Sequence, residues 1–149
     1  MPEKHQYGPI QYAAPAHFSR ADLEFYSISH FRPSYTALIY FNDAEVNEQN
    51  ATKSRPGYAG CFSIFGHRFC SGDEGHCEVH DHHNRFDDRP THPLTPAFKR
   101  VIVTDAIRKV QAAGQTELAI TVVCFTEPGL ESESEPLLEF GGMQLSFFE

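Results

Sequence analysis

Apolar residues in this chain fall mostly at alternate positions or in short runs that are apolar on both sides, a pattern that specifies strands. Residues 23–29 (LEFYSIS) alternate, and residues 34–41 (SYTALIYF) form a strong strand with two apolar faces. Asn42-Asp43 ends that strand, and the polar stretch through Pro56-Gly57 is a loop. Residues 58–66 (YAGCFSIFG) predict a further strand. From about Arg68 to Pro96 the periodicity disappears into Gly, Asp, His and Pro, and a segment of that length inside a domain is expected to be an ordered functional excursion.

Residues 98–103 (FKRVIV) predict a strand that runs straight into a short helix. Thr104 or Asp105 is placed to accept hydrogen bonds from the first turn, Ile107 and Val110 share a face, and Gly114 suits the stop. Residues 117–125 (ELAITVVCF) are β-branched and two-sided, as a central strand should be. The acidic run 131–135 (ESESE) is a solvated connection, and residues 137–148 close the chain as two short strands or one kinked at Gly141-Gly142. Ahead of all this, residues 1–22 predict an irregular arm, broken by Pro2, Gly8, Pro9 and Pro15 and anchored through Tyr7, Ile10, Tyr12 and Phe18. The expected fold is therefore mainly β: an antiparallel β-sandwich over residues 23–149, with one short helix and a long His/Cys-rich loop.

Length and composition fit that picture. A chain of 149 residues makes one domain that buries about two-thirds of its unfolded surface, and 13 Phe and 6 Tyr supply the packing. No apolar run reaches the roughly 20 residues of a membrane helix. The first residues have no apolar core of the signal-peptide kind, which points to a cytoplasmic protein, a processed fragment or a subunit exported with a partner. A net charge of −8, with 12 basic residues scattered among 20 acidic ones, argues against a phosphate-binding face and with it against nucleic acid.

The chemistry concentrates in the excursion. Six of the nine histidines lie between His67 and His92, together with Cys70 and Cys77. Imidazole and thiolate are the usual ligands of copper and zinc, so Cys70, His76, Cys77, His80, His82 and His83 are the candidate ligand set. His80 and His82 are the sharpest pair, because alternate residues of an extended segment point the same way. A disulfide between Cys70 and Cys77, with histidines that bind nothing, reads the same residues equally well. Cys61 and Cys124 fall in predicted strands as packing residues, and His17 and His30 stand isolated, as structural residues do. Hydrolase, phosphate-loop and dinucleotide motifs are absent, nothing orients a Cys77–His80 nucleophilic pair, and Asp87-Asp88-Arg89 has the character of a salt-bridged turn.

The order of four motifs carries a resemblance. YTALIYFN (35–42), GYAGCF (57–62), VIVTDAI (101–107) and a closing FGGMQLSF (140–147) follow one another as in the C-terminal β-sandwich domain of tyrosinases, polyphenol oxidases and hemocyanins. The chain resembles that domain over about Phe25 to Phe148. In that family the sandwich packs over the dinuclear copper site of a helical catalytic domain, inserts a side chain as a shield, holds the enzyme latent and in some relatives assists copper loading. The resemblance thus implies a tyrosinase-like catalytic domain or subunit as partner and no phenol oxidation by this chain itself; for the shielding side chain, the predicted topology offers Phe65, His67 and Phe69 as candidates, at a strand end entering the loop. Copper, ahead of zinc, is the metal the resemblance implies for the Cys/His loop. Fungal relatives use Cys-x-x-Cys for copper delivery, whereas six residues separate Cys70 from Cys77, so no ligand carries over residue by residue. Two other classes stand beside this one: a free-standing metalloenzyme built on the His76–His92 loop, and a purely structural interaction sandwich.

Overall fold

The computed structural model describes residues 3–67, 86, 96–129 and 135–149. In chain order these form β1 (Glu3–Gln11), β2 (Arg20–Ile28), β3 (Tyr35–Phe41), β4 (Tyr58–Ile64), β5 (Ala97–Ile102), α1 (Thr104–Ala112), β6 (Glu117–Thr126) and β7 (Gly142–Phe148). Four strands make one sheet in the order β1-β6-β3-β4, and three make a second in the order β5-β2-β7. Every pairing is antiparallel. The fold is mainly β with two antiparallel sheets and one short helix, as the periodicity predicts. Nearly all of the excursion after β4 lies outside the described residues.

Alternation places the core. From the smaller sheet, Ala21, Leu23, Phe25 and Ile28 of β2 point inward; from the larger, Tyr35, Ala37, Ile39 and Phe41 of β3 and Leu118, Ile120, Val122 and Cys124 of β6 meet them. The remaining apolar residues of the two-sided strands, Leu38, Tyr40 and Val123, form a second cluster on the outer face. Residues 42–57 cover it: Val46 is fully buried there, and Tyr40 Oη donates to the Thr52 carbonyl at 3.1 Å. Arg55 clamps the cover through two hydrogen bonds to Asp43, 2.8 and 2.7 Å long. This loop is a packed lid on a hydrophobic face, which explains why β3 needs no polar side.

Three local expectations are corrected. Residues 3–11 form an edge strand paired with β6, where an irregular arm is predicted. The breakers Gly8 and Pro9 sit in a bulge between Tyr7 and Ile10, and pairing resumes on either side of it, so two breakers cost the strand one irregularity and not its existence. At the head of α1 the N-cap position is Val103, and no side chain caps it. Thr104 Oγ1 instead accepts the Ala21 N–H at 3.0 Å while the Val103 N–H donates to the Ala21 carbonyl at 2.8 Å, so the helix start is tied to β2. At the chain's end only residues from Gly142 onward are strand; Leu137 and Leu138 are buried without being strand, plugging one end of the sandwich.

The helix stop is as expected. Gly114, at φ +70°, lets its N–H reach the Gln111 carbonyl and the Gln115 N–H reach the Val110 carbonyl, closing the last turn. Ala106, Ile107 and Val110 bury its inner face.

Asn42 ends β3 at φ +51°, a left-handed conformation that asparagine tolerates. Its Oδ1 accepts the Ala119 N–H at 2.7 Å, and its Nδ2 donates to Gln115 Oε1 and the Glu117 carbonyl. Asn42→Ala therefore combines backbone strain with an orphaned amide and is expected to cost about 2 kcal/mol in urea unfolding. Asn42→Gly keeps the backbone conformation and loses only the hydrogen bonds, so it should cost less; equal costs would mean that the conformation carries none of the effect.

Candidate functional site

Pairing of β3 with β4 sets Tyr35 opposite Ile64, so the residues just before Tyr35 and just after Ile64 must meet at one end of the sandwich. The close approach is made by Gly66, where a Cβ would collide with the Arg32 carbonyl oxygen. The Gly66 N–H donates to Ser34 Oγ at 2.9 Å, and the His67 N–H donates to the His30 carbonyl at 2.7 Å. Two imidazoles are thereby brought edge to face, with His30 and His67 ring centroids 5.0 Å apart and their planes at 73°. Phe31 lies 5.6 Å from His30 on one side and Phe65 lies 5.4 Å from His67 on the other. His67 Nδ1 is shut off from solvent with no hydrogen-bond partner. Phe65 is 78% exposed, a large ring standing in solvent on a clamped backbone.

Of the side chains singled out from the sequence, Phe65 and His67 are therefore neighbours on this rim. Phe69, Cys70, His76, Cys77, His80, His82, His83 and His92 lie outside the described residues. His30, expected to be isolated, is in ring contact with His67. No periodicity could signal that contact across 37 positions; only the register of β3 on β4 puts the two together. Among the described residues no cluster of three or more His, Cys, Asp or Glu could hold a metal ion.

Arg32 fastens the rim to the segment leading into β7. It is nearly buried, donates from Nε to the Pro136 carbonyl at 2.9 Å and from Nη2 to Glu139 Oε2 at 2.7 Å, and lies 3.0 Å from Glu135. The Ser29 N–H donates to the Glu139 carbonyl at 2.9 Å, and the Leu137 N–H donates to Glu3 Oε2 at 2.7 Å. One guanidinium thus unites the β2–β3 turn with residues 135–139, while Glu3 brings in β1.

Beneath the rim, burial raises the interior thiol and two phenols. The Cys124 thiol is fully buried and pushed well up by burial, with the Glu3 carboxylate adding to it, so it is no thiolate nucleophile at neutral pH. Tyr7 is pushed up to about 12 by burial first, then by Cys124 and Glu3, and Tyr35 is raised further by burial. Cys61, half-buried on the outer face, is a free thiol beside Tyr58.

No family model matches the chain, and no curated protein does. Solved structures do. Latent aurone synthase, a polyphenol oxidase, recombinantly expressed and co-crystallised with hexatungstotellurate(VI), matches over 99% of this chain at a TM-score of 0.54 and 15% identity. The same enzyme from its natural source matches over 99% at 0.53 and 14%, and a further recombinant form at 0.52 and 14%. At such identities the likeness is one of fold. The chain spans about a quarter of the length of those polyphenol oxidases, 24% in each case.

Two outcomes are expected here. Arg32→Ala should destabilise the chain by about 2 kcal/mol and speed hydrogen exchange at the Ser29 and Leu137 amides by at least an order of magnitude. Arg32→Lys should restore only part of this, because an ammonium cannot reproduce the fork. In alkali, the folded chain keeps the Tyr7 proton that the unfolded chain loses near pH 10, so stability is intact below about 10 and falls as the pH rises towards 12. Tyr7→Phe should lessen that alkaline loss, with Tyr35 supplying much of the remainder; an unaltered alkaline profile would remove Tyr7 from the account.

Proposed function

We propose that this chain is an accessory sandwich of a tyrosinase-like type-3 copper oxidase, equivalent to the C-terminal domain of that family, and that it caps a catalytic domain without performing the oxidation. The observation that carries the reading is the fold match over 99% of the chain to a quarter of a latent polyphenol oxidase. The order of strand motifs agrees with it, and so does an interior whose thiol and phenols are kept protonated.

Phe65 is the shielding side chain in this proposal. A cap must present a side chain that projects, resists bending back and brings no charge into an apolar mouth. Phe65 projects from a backbone held by the Gly66 and His67 hydrogen bonds, and His67 packs against its ring. His67 backs the shield and does not itself project. Docking buries an exposed phenyl ring, worth roughly 2 kcal/mol by its area, enough for a weak, reversible plug. Copper loading through Cys70, His76, Cys77, His80, His82 and His83 belongs to the same proposal.

A chimera tests it: this chain replaces the matching quarter of latent aurone synthase, and catechol oxidation is followed. The chimera is expected to be latent, and Phe65→Ala is expected to raise its activity several-fold without altering the melting temperature of the isolated sandwich. A chimera that is fully active with Phe65 in place would remove the capping role. Isolated wild-type chain supplied with copper should not oxidise catechol, and turnover there would favour a free-standing metalloenzyme.

A further inference from the structure

We propose that the free edge of β7, beneath β1, receives one extended strand from the catalytic chain of the capping role, on which this inference rests, and that the smaller sheet so becomes four-stranded. The backbone identifies the groups that would bind it. The Val103 N–H donates to the Ala21 carbonyl, so Ala21, and by alternation Leu23 and Phe25, turn their backbone groups towards β5. Asp22 and Glu24 then bond β7 through Ser146 and Gln144, and the Phe148 carbonyl, which accepts the Ser19 N–H at 2.8 Å, points the same way. Met143, Leu145 and Phe147 therefore direct their N–H and C=O groups away from β2, and among the described residues no strand pairs with that edge. Their side chains pack against the core and are only partly buried, whereas Ala21, Leu23, Phe25 and Ile28 of the neighbouring β2 are fully buried.

The layers admit a single strand. A Cβ on Gly60 would strike the Val101 side chain, so β4 stands over β5 at one corner of the sandwich. Counted from that corner, four strands lie over three, and β1 extends one strand beyond β7. Tyr7 of β1 meets Phe140, just before β7, at 5.2 Å, and Glu3 Oε2 accepts the Leu137 N–H at 2.7 Å, which holds β1 above the edge. A second copy pairing through its own β7 would drive its own β1 into this roof, so the occupant is one segment and not another sandwich. Its chemistry follows from the edge: extended backbone, apolar residues at alternate positions turned inward, and no charge to bury. The other free edges are guarded, β1 by Lys4 and the bulge at Gly8-Pro9, β5 by Lys99 and Arg100. β7 has no charged residue, no proline and no shift of register. The chain spans 24% of the matched polyphenol oxidase, so about three quarters of such a protein lies outside it and has ample length to supply one strand.

Amide hydrogen exchange tests it, read residue by residue in the isolated chain and in the chimera with latent aurone synthase. Strand addition works through the main chain, so the foreign sequence of the chimera is no obstacle. In the isolated chain the Met143, Leu145 and Phe147 amides should exchange freely, while those of Gln144 and Ser146, bonded to β2, stay protected in both proteins. In the chimera the first three are expected to slow at least tenfold. Leu145→Pro removes an N–H that β2 does not use, a substitution that edge strands tolerate. It should return Met143 and Phe147 in the chimera to their rates in the isolated chain. Equal rates in the two parent proteins, or slow exchange already in the isolated chain, would overturn the added strand. If Leu145→Pro fails to fold by circular dichroism, the two parents decide alone. A latent chimera with unprotected amides removes the strand and keeps the cap; an active chimera with protected amides removes the cap and keeps the strand.

Discussion

A chain of aromatic rings joins the two sheets, and the geometry of the rim depends on it. Phe25, from the middle of the smaller sheet, packs against Phe62 of the larger one at 5.1 Å and against Phe140 at 5.2 Å, edge to face. Phe140 in turn meets Tyr7 of the edge strand at 5.2 Å. Each such contact adds about 0.5–1.5 kcal/mol beyond its buried area. More important is what the rings fix: β1, β2, β4 and the lead-in to β7 converge on one aromatic cluster. Arg32 and Glu3 can tie their loops together only because that cluster holds the strand ends in register. A clamped rim follows from a packed interior.

The two outer faces solve the solvent problem differently. The larger sheet is apolar outward as well as inward, and the chain lays residues 42–57 over it. The smaller sheet turns Asp22 and Glu24 outward, yet both carboxylates are buried. Arg20 meets Asp22 at 2.7 Å, and Arg100 lies 3.0 Å from Glu24 and 3.5 Å from Asp22. Glu24 also accepts from Tyr26 Oη at 2.7 Å and Ser146 Oγ at 3.1 Å, and these bonds, Tyr26 first, hold its carboxyl below the usual carboxylate range. Both guanidiniums lie over aromatic rings, Arg20 over Phe148 and Arg100 over Phe98. The arginines are therefore a cover in their own right, with their stems and planes closing over charges that would otherwise face water.

These devices explain what was legible in the sequence. Alternation and two-sidedness located β2 to β6 and the helix, because those signals come from the core itself. Gly8 and Pro9 predict an irregular arm, but a bulge confines them to one irregularity in β1. The cap on α1 failed because Thr104 spends its hydroxyl on β2, a partner 83 positions away. Leu137 and Leu138 carry the apolar signal of a strand, but they are buried without being one. The rim followed the same rule. Phe65 and His67 were visible as a strand exit, while His30 and Arg32 became visible only through the register of β3 on β4.

What the described structure offers chemically lies on its surface. Inside, burial raises Cys124, Tyr7 and Tyr35, so the groups that could attack or coordinate are kept protonated by the same packing that gives the fold its core. At the rim the packing has the opposite consequence. It forces an exposed phenyl ring outward and holds two imidazoles against each other, at positions where a flexible loop would let both relax. In the proposed capping role, a phenyl ring clamped at its backbone loses little entropy on burial, which favours a contact that is small in area and still specific. The packed interior supplies the rigid scaffold, and the close approach of Gly66 to the Arg32 carbonyl fixes where the ring projects from it.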